Sequence, residues 1–197
     1  MGRYINPVPI IIHQDWSRLT DIINEYIDLA DQESEQMTSI QYWSPGFKIC
    51  TFGEKLTLRH VRERGCCGCY AIQGGSVLTE ELPWLNDMIE DLAELKVSDI
   101  MFNKIEGDGV PHIDLGVGPV AVNHFFMPDK TSLTRIWDDH YEESYWHHAG
   151  STWILNSQVI HSIENVGDRY WFNFRLNAEF DVVKKWFEKI DYLQYPK

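Results

Sequence analysis

The sequence has no long apolar run. The stretch Val8-Pro9-Ile10-Ile11-Ile12 is among its most hydrophobic, and it reads as a buried strand. It falls far short of the roughly 20 residues that span a membrane, so no membrane partner is expected. Basic residues are scarce, 17 against 30 acidic ones, for a net charge of −13. That balance repels phosphate backbones and argues against general nucleic-acid binding. A local basic groove stays open where Arg59, Arg62 and Arg64 cluster. Cysteines are few as well: Cys50, Cys66, Cys67 and Cys69 share one segment. This is not a disulfide scaffold, and reduced thiols in a cytoplasmic setting are the better reading. Zinc at Cys66, Cys67 and Cys69 would need Cys50 or His60 as a fourth ligand, so packed thiols beside a Gly-rich turn are favoured. Residues 1–7 lack the apolar core of a secretory signal. There is no internal repeat, low-complexity tract or linker.

What is present is apolar content of 44% and aromatic content of 13% in 197 residues, enough for a substantial core and too much for disorder. The reading is a single domain. Residues 1–98 form helices and short strands that buttress a strand-rich core at 99–176, and a helix covers 177–197.

Periodicity predicts a helix over 15–31, with Leu19, Ile22, Ile23, Tyr26, Ile27 and Ala30 on one face and Asp15 or Ser17 as cap. A second helix is predicted over 81–95, with Pro83 in its first turn and Leu85, Met88, Ile89, Leu92 and Leu95 as its stripe. A last helix is predicted over 181–193, with Val182, Val183, Trp186, Phe187 and Ile190 inward. Short strands are expected within 42–61, around Ser44-Pro45-Gly46. More are expected at 100–106, 111–115, 120–126, 133–137, 151–155, 158–164 and 170–176. Many short strands with turn punctuation point to a sandwich or jelly roll.

The chemistry concentrates in His112-Ile113-Asp114 and His161. On a strand, positions i and i+2 share a face, so His112 and Asp114 can aim at one point. A histidine from a later strand completes a two-His-one-carboxylate triad, which leaves open positions on Fe(II) for a co-substrate and O2. Two other His-x-acid triplets read differently. His13-Gln14-Asp15 sits at a helix start, and His140-Tyr141-Glu142 lies in the charged stretch 138–143, read as a solvated loop. His147 and His148 are adjacent, so on a strand their rings point to opposite faces. His112-Ile113-Asp114 is set apart by its context: it follows the turn Glu106-Gly107-Asp108-Gly109. Downstream come a strand, a turn at Asn156-Ser157, the strand with His161, a turn at Gly167-Asp168, and a strand flanked by Arg169 and Arg175. An arginine there can grip a carboxylate in bidentate fashion.

These residues, in this order, resemble the Fe(II)/2-oxoglutarate dioxygenase superfamily, and most of all its aspartyl/asparaginyl β-hydroxylase branch. The likeness runs over residues 81–176: the helix with Pro83, His112-Ile113-Asp114, Gly150 to Trp153, His161 to Asn165, and Arg169. It implies a mainly β fold with flanking helices, a double-stranded β-helix or cupin-like jelly roll. It implies Fe(II) on His112, Asp114 and His161, with 2-oxoglutarate as co-substrate. Arg169 is the favoured partner for the distal carboxylate of 2-oxoglutarate, and Arg175 is its rival. Ala121 and Asn123 stand where the family often has Arg and His, leaving Asn123 as a hydrogen-bond donor to the co-substrate; Trp171 replaces a frequent His. The implied activity is hydroxylation by O2 of an amino-acid side chain, free or in a peptide, or of a small metabolite. The alternative is a cupin-like binding or structural module whose metal site is vestigial.

Overall fold

The computed structural model describes residues 2–44, 46–61, 69–73, 75–114, 117–126, 132–165 and 167–197. Arg62, Arg64, Cys66 and Cys67 lie outside the described residues, as does the side chain of Asn165.

Eight strands build two facing antiparallel sheets. They are β7 (Val97–Ile105), β8 (Gly109–His112), β9 (Val120–Phe125), β10 (Ser132–Trp137), β11 (Glu142–His147), β12 (Thr152–Asn156), β13 (Ile160–Asn165) and β14 (Arg169–Leu176). One sheet has the order β12-β9-β14-β7, and the facing sheet has the order β11-β10-β13-β8. The chain passes back and forth between the sheets, which is a double-stranded β-helix, as the sequence led us to expect. Gly107, at φ 71°, sits in the turn between β7 and β8, which belong to opposite sheets.

The first sheet continues past this core. Strands β6 (Cys69–Gln73), β5 (Leu56–Val61), β4 (Phe47–Phe52) and β3 (Ser39–Ser44) follow β7, while β1 (Ile5–Pro7) adds to β12, making nine strands. The strands expected around 42–61 therefore extend the barrel wall. Strand β2 (Ile10–Ile12) pairs instead with β15 (Leu193–Tyr195), in parallel.

The outer face of the large sheet is apolar, and helix α1 (Ser17–Asp31) covers part of it. Leu19, Ile22, Ile23, Ile27 and Ala30 are buried, and Tyr26 packs edge-on to Phe52 at 4.7 Å. Trp16, just before the helix, stacks on Phe126 at 4.6 Å and on Phe172 at 5.6 Å. The N-cap position is Trp16, with no side-chain cap, rather than Asp15 or Ser17; Asp15, one residue earlier, accepts a hydrogen bond from the Ser17 N–H at 2.9 Å.

Three predicted elements differ. The helix expected over 81–95 is shorter, α3 (Leu85–Asp91) followed by a 3-10 turn, Ala93–Leu95, and a helix the sequence reading did not expect, α2 (Gly75–Glu81), precedes it. Pro83 has no N–H to give and its ring crowds the preceding turn, so α2 closes before it and α3 starts after it. Leu85, Met88, Leu92 and Leu95 are buried as expected, but Ile89 faces out. The last helix, α4, covers only Phe180–Phe187; Phe180, Val183 and Phe187 are buried and Val182 is exposed. The chain then extends as β15, because Tyr195 gains a fully buried site, stacked on Trp84 at 5.6 Å and donating its hydroxyl to Asp91 at 2.7 Å. The charged stretch read as a loop leads into β11, whose residues alternate strictly, with Glu143 and His147 buried between exposed neighbours. Charge at Glu142 and Glu143 masks the period of two.

Candidate metal centre

Three local features bring the triad together. In the pairing of β13 with β8, His161 stands directly opposite His112. Their rings lie side by side, with centroids 4.4 Å apart. Each Nδ1 bonds a backbone carbonyl two residues back, His112 to Val110 at 2.7 Å and His161 to Val159 at 2.9 Å. A carbonyl only accepts, so both rings carry a proton on Nδ1, and Nε2 is the nitrogen that faces the cluster.

Asp114 is held differently from the sequence expectation. Strand β8 ends at His112, so Asp114 does not follow from strand alternation alone. Its N–H donates to the Ser157 carbonyl at 3.0 Å, and its own carbonyl accepts from Gln158 Nε2 at 2.8 Å. The turn ahead of His161 thus fixes the carboxylate. Ser157 is fully buried and anchors that turn to the carbonyl of Pro119.

The outcome is a cluster in which one ligand atom from each of His112, Asp114 and His161 lies within 4.8 Å of the others. Asp114 Oδ1 is 3.4 Å from His112 Nε2, and Oδ2 is 3.8 Å from His161 Nε2. Burial alone would raise the Asp114 pKa. The His112 hydrogen bond, the Arg175 guanidinium and the two imidazoles overcome it and hold the carboxyl well below the usual range. Burial lowers the His161 pKa, which keeps it neutral and fit to ligate. Two imidazoles that can bind through Nε2 and one carboxylate match a divalent first-row metal. Among the described residues this is the one such cluster. Cys50 forms no disulfide, and burial raises its pKa.

The cluster opens into a cavity of about 520 Å³ between the two sheets, also lined by Arg169, Arg175, Asn123 and Trp171. On β14 the side chains of Arg169, Trp171, Asn173 and Arg175 alternate toward it, as strand parity implies. Arg175 Nη2 donates to Asp114 Oδ2 at 2.7 Å, so this arginine stands beside the triad. Its Nε and Nη1 are buried without a hydrogen-bond partner. Arg169, six residues away, is buried between the rings of Phe125 and Trp171, at 4.3 and 4.9 Å. Its Nη1 donates to Ser132 Oγ at 2.6 Å, while its Nε has no partner. Burial brings its pKa down to about 9, so it remains a cation at neutral pH and its charge is only partly compensated. Asn123 accepts from Asn173 Nδ2 at 2.6 Å, so the group it can still offer a ligand is its own Nδ2.

His147 and His148 part as the sequence reading expects. His147 is buried and stacks on Phe125 at 4.1 Å, with Nε2 2.7 Å from Thr134 Oγ1, while His148 is exposed. Ser132 had no local mark, and Arg59 was marked only as part of a basic cluster. Of the aromatics, Trp171 lines the cavity and Trp146 is exposed on the outer face.

No protein-family model matches the sequence, and comparison with curated proteins finds no match either. Solved structures do resemble it. A 2OG-Fe(II) oxygenase family oxidoreductase from Burkholderia pseudomallei aligns at TM-score 0.44 and 8% identity, over 61% of this chain and 67% of that one. A ribosomal oxygenase from Escherichia coli aligns at TM-score 0.46 and 12% identity, over 84% of this chain and 46% of that one. Salicylate 1,2-dioxygenase from Pseudoaminobacter salicylatoxidans aligns at 0.43 and 12%, over 87% of this chain and 35% of that one. The chain thus spans less than half of the latter two.

Proposed function

We propose that this protein is an Fe(II)- and 2-oxoglutarate-dependent oxygenase, of the aspartyl/asparaginyl β-hydroxylase type, acting in the cytoplasm on an amino-acid side chain, free or in a peptide, or on a small metabolite. The observation that carries this reading is the convergence of His112, Asp114 and His161, with both imidazole tautomers set by backbone carbonyls. Bound there, Fe(II) would supply oxygen activation coupled to decarboxylation of 2-oxoglutarate, giving succinate, CO2 and a hydroxylated C–H bond.

The chain's own residues do the rest. Arg169, buried and with Nε still unsatisfied, offers a charge-assisted grip for the distal carboxylate of the co-substrate, with Ser132 beside it. A carboxylate brought against it would offset the cost of burying that cation. Asn123 Nδ2 adds a donor on the neighbouring strand. Arg175 orients Asp114 and keeps it ionised, so the ligand set carries one negative charge. The apolar walls, among them Met101, Ile105 and Leu155, keep bulk water from the reacting atoms.

The test is aerobic succinate release from 2-oxoglutarate with added Fe(II). Wild type is expected to turn over, and His112→Ala to lose about 100-fold or more, since removing even an outer support of a metal ligand costs ~10–100-fold. A wild-type protein that binds no divalent metal and releases no succinate would refute the reading.

A further inference from the structure

The cavity reaches beyond the barrel onto the extension β6-β5-β4, and there it meets Arg59. On β5, Leu56, Leu58 and His60 are buried on the helix side, so Thr57, Arg59 and Val61 face the other way. Register places Arg59 opposite Ile49 on β4 and Ala71 on β6; Ala71 pairs with Asn103 on β7, and Asn103 with Trp171 on β14. One cross-strand row thus leads from Arg59 to the strand that carries Arg169 and Arg175. Three strand spacings separate β5 from β14, about 14 Å along the sheet.

Among the described residues three arginines line the cavity. Arg169 has Ser132 and Arg175 has Asp114. Arg59 is half-buried, and among the described residues no carboxylate pairs with it, although acids outnumber bases by 13 in the chain. Its cavity neighbours Phe47, Ile49 and Val61 are apolar, and Ala71 leaves room above the sheet. A half-desolvated guanidinium in an apolar wall favours an anion whose body is itself apolar. Among the described residues Arg59 is the one cation on β4, β5 or β6 that lines the cavity, and one guanidinium balances one negative charge. The spacing along the row asks for several carbons between the anion and the metal centre.

Resting on the oxygenase reading, we propose that the substrate is a small monocarboxylate with an extended apolar body. Its carboxylate is held by Arg59, and its chain lies over Ala71 and Asn103 toward the triad.

The test uses the full chain loaded with Zn2+ and 2-oxoglutarate, titrated calorimetrically with 5-phenylpentanoate and with the uncharged 5-phenylpentanamide. The carboxylate is expected to bind about tenfold tighter than the amide, as charge-assisted hydrogen bonds exceed neutral ones. Arg59→Gln should abolish that preference, and Arg59→Lys should keep part of it. Equal binding of acid and amide to wild type overturns the proposal. So does a preference that survives Arg59→Gln but is lost in Arg169→Gln, which would put the probe in the co-substrate's place. Displacement of the probe by single-stranded oligonucleotide would overturn it in favour of nucleic acid. Zn2+ and 2-oxoglutarate affinities, measured in the same samples, report on the oxygenase reading separately: Arg59→Gln should leave both unchanged.

Discussion

At the scale of single residues, protonation and pairing decide what the site can do. His161 is buried, and with His112 and Asp114 it forms the cluster. Replacing His161 by Ala should weaken Mn2+ binding by more than about 100-fold, read by isothermal titration, because two donors cannot hold a labile ion. Arg169 and Arg175 separate by kinetics. Arg169→Gln should raise the KM for 2-oxoglutarate, while Arg175→Gln, which frees Asp114, should lower Mn2+ affinity first. A histidine outside the site makes a pH prediction. His124 is 1% exposed, and burial brings its pKa down to about 4. Its Nδ1 donates to Thr152 Oγ1 at 2.9 Å, since that hydroxyl donates onward to the Ile10 carbonyl. The unfolded chain takes up this proton near pH 6.5 and the folded one only near 4. Stability is therefore complete above about pH 6.5 and is lost as pH falls toward 4, by about 3 kcal/mol. Urea titrations across that range should show the slope, and His124→Gln should flatten it.

At the scale of elements, the N-terminal strand depends on one carboxylate. Glu143 on β11, buried, accepts the backbone N–H groups of Arg3, Tyr4 and Ile5, together with the hydroxyls of Tyr141 and Tyr145. Burial and this carboxylate push the Tyr145 pKa up to about 12. Glu143→Ala would leave several backbone donors without partners near β1, at a cost of about 2–4 kcal/mol. The check is amide hydrogen exchange, which should speed up at residues 3–5 before the rest of the molecule. The same element shows why sequence reading stumbles. Alternation marks strands when the inward residues are apolar; here the inward positions are Glu143, Tyr145 and His147, and the pattern resembles a polar loop. Likewise Pro83 suits the first turn of a helix and also ends the helix before it, and the sequence alone does not choose.

At the scale of the whole molecule, one sheet serves two purposes. Its outer face shares one apolar core with α1, in which Phe102, Phe172 and Phe174 are fully buried, while its inner face carries the arginines and asparagines of the cavity. Stability and chemistry therefore separate by face. Ile23→Ala on α1, also fully buried, should cost about 2–5 kcal/mol in urea unfolding while leaving Mn2+ affinity unchanged in the folded protein. A parallel loss of metal binding would mean that the two faces are coupled.

Much of this was legible in the chain itself. The strand-rich segment from β7 to β14, the amphipathic face of α1, and the three residues that cluster follow from local periodicity and motif order, because such preferences act over a few neighbouring residues. Tertiary structure alone decided that His161 faces His112 across a strand pair, that Ser157 fixes Asp114, that Arg175 reaches the carboxylate while Arg169 stays deep in the cavity, and that Arg59 joins them from a distant strand. Those relations are set by strand register and sheet order, which join residues far apart in the chain.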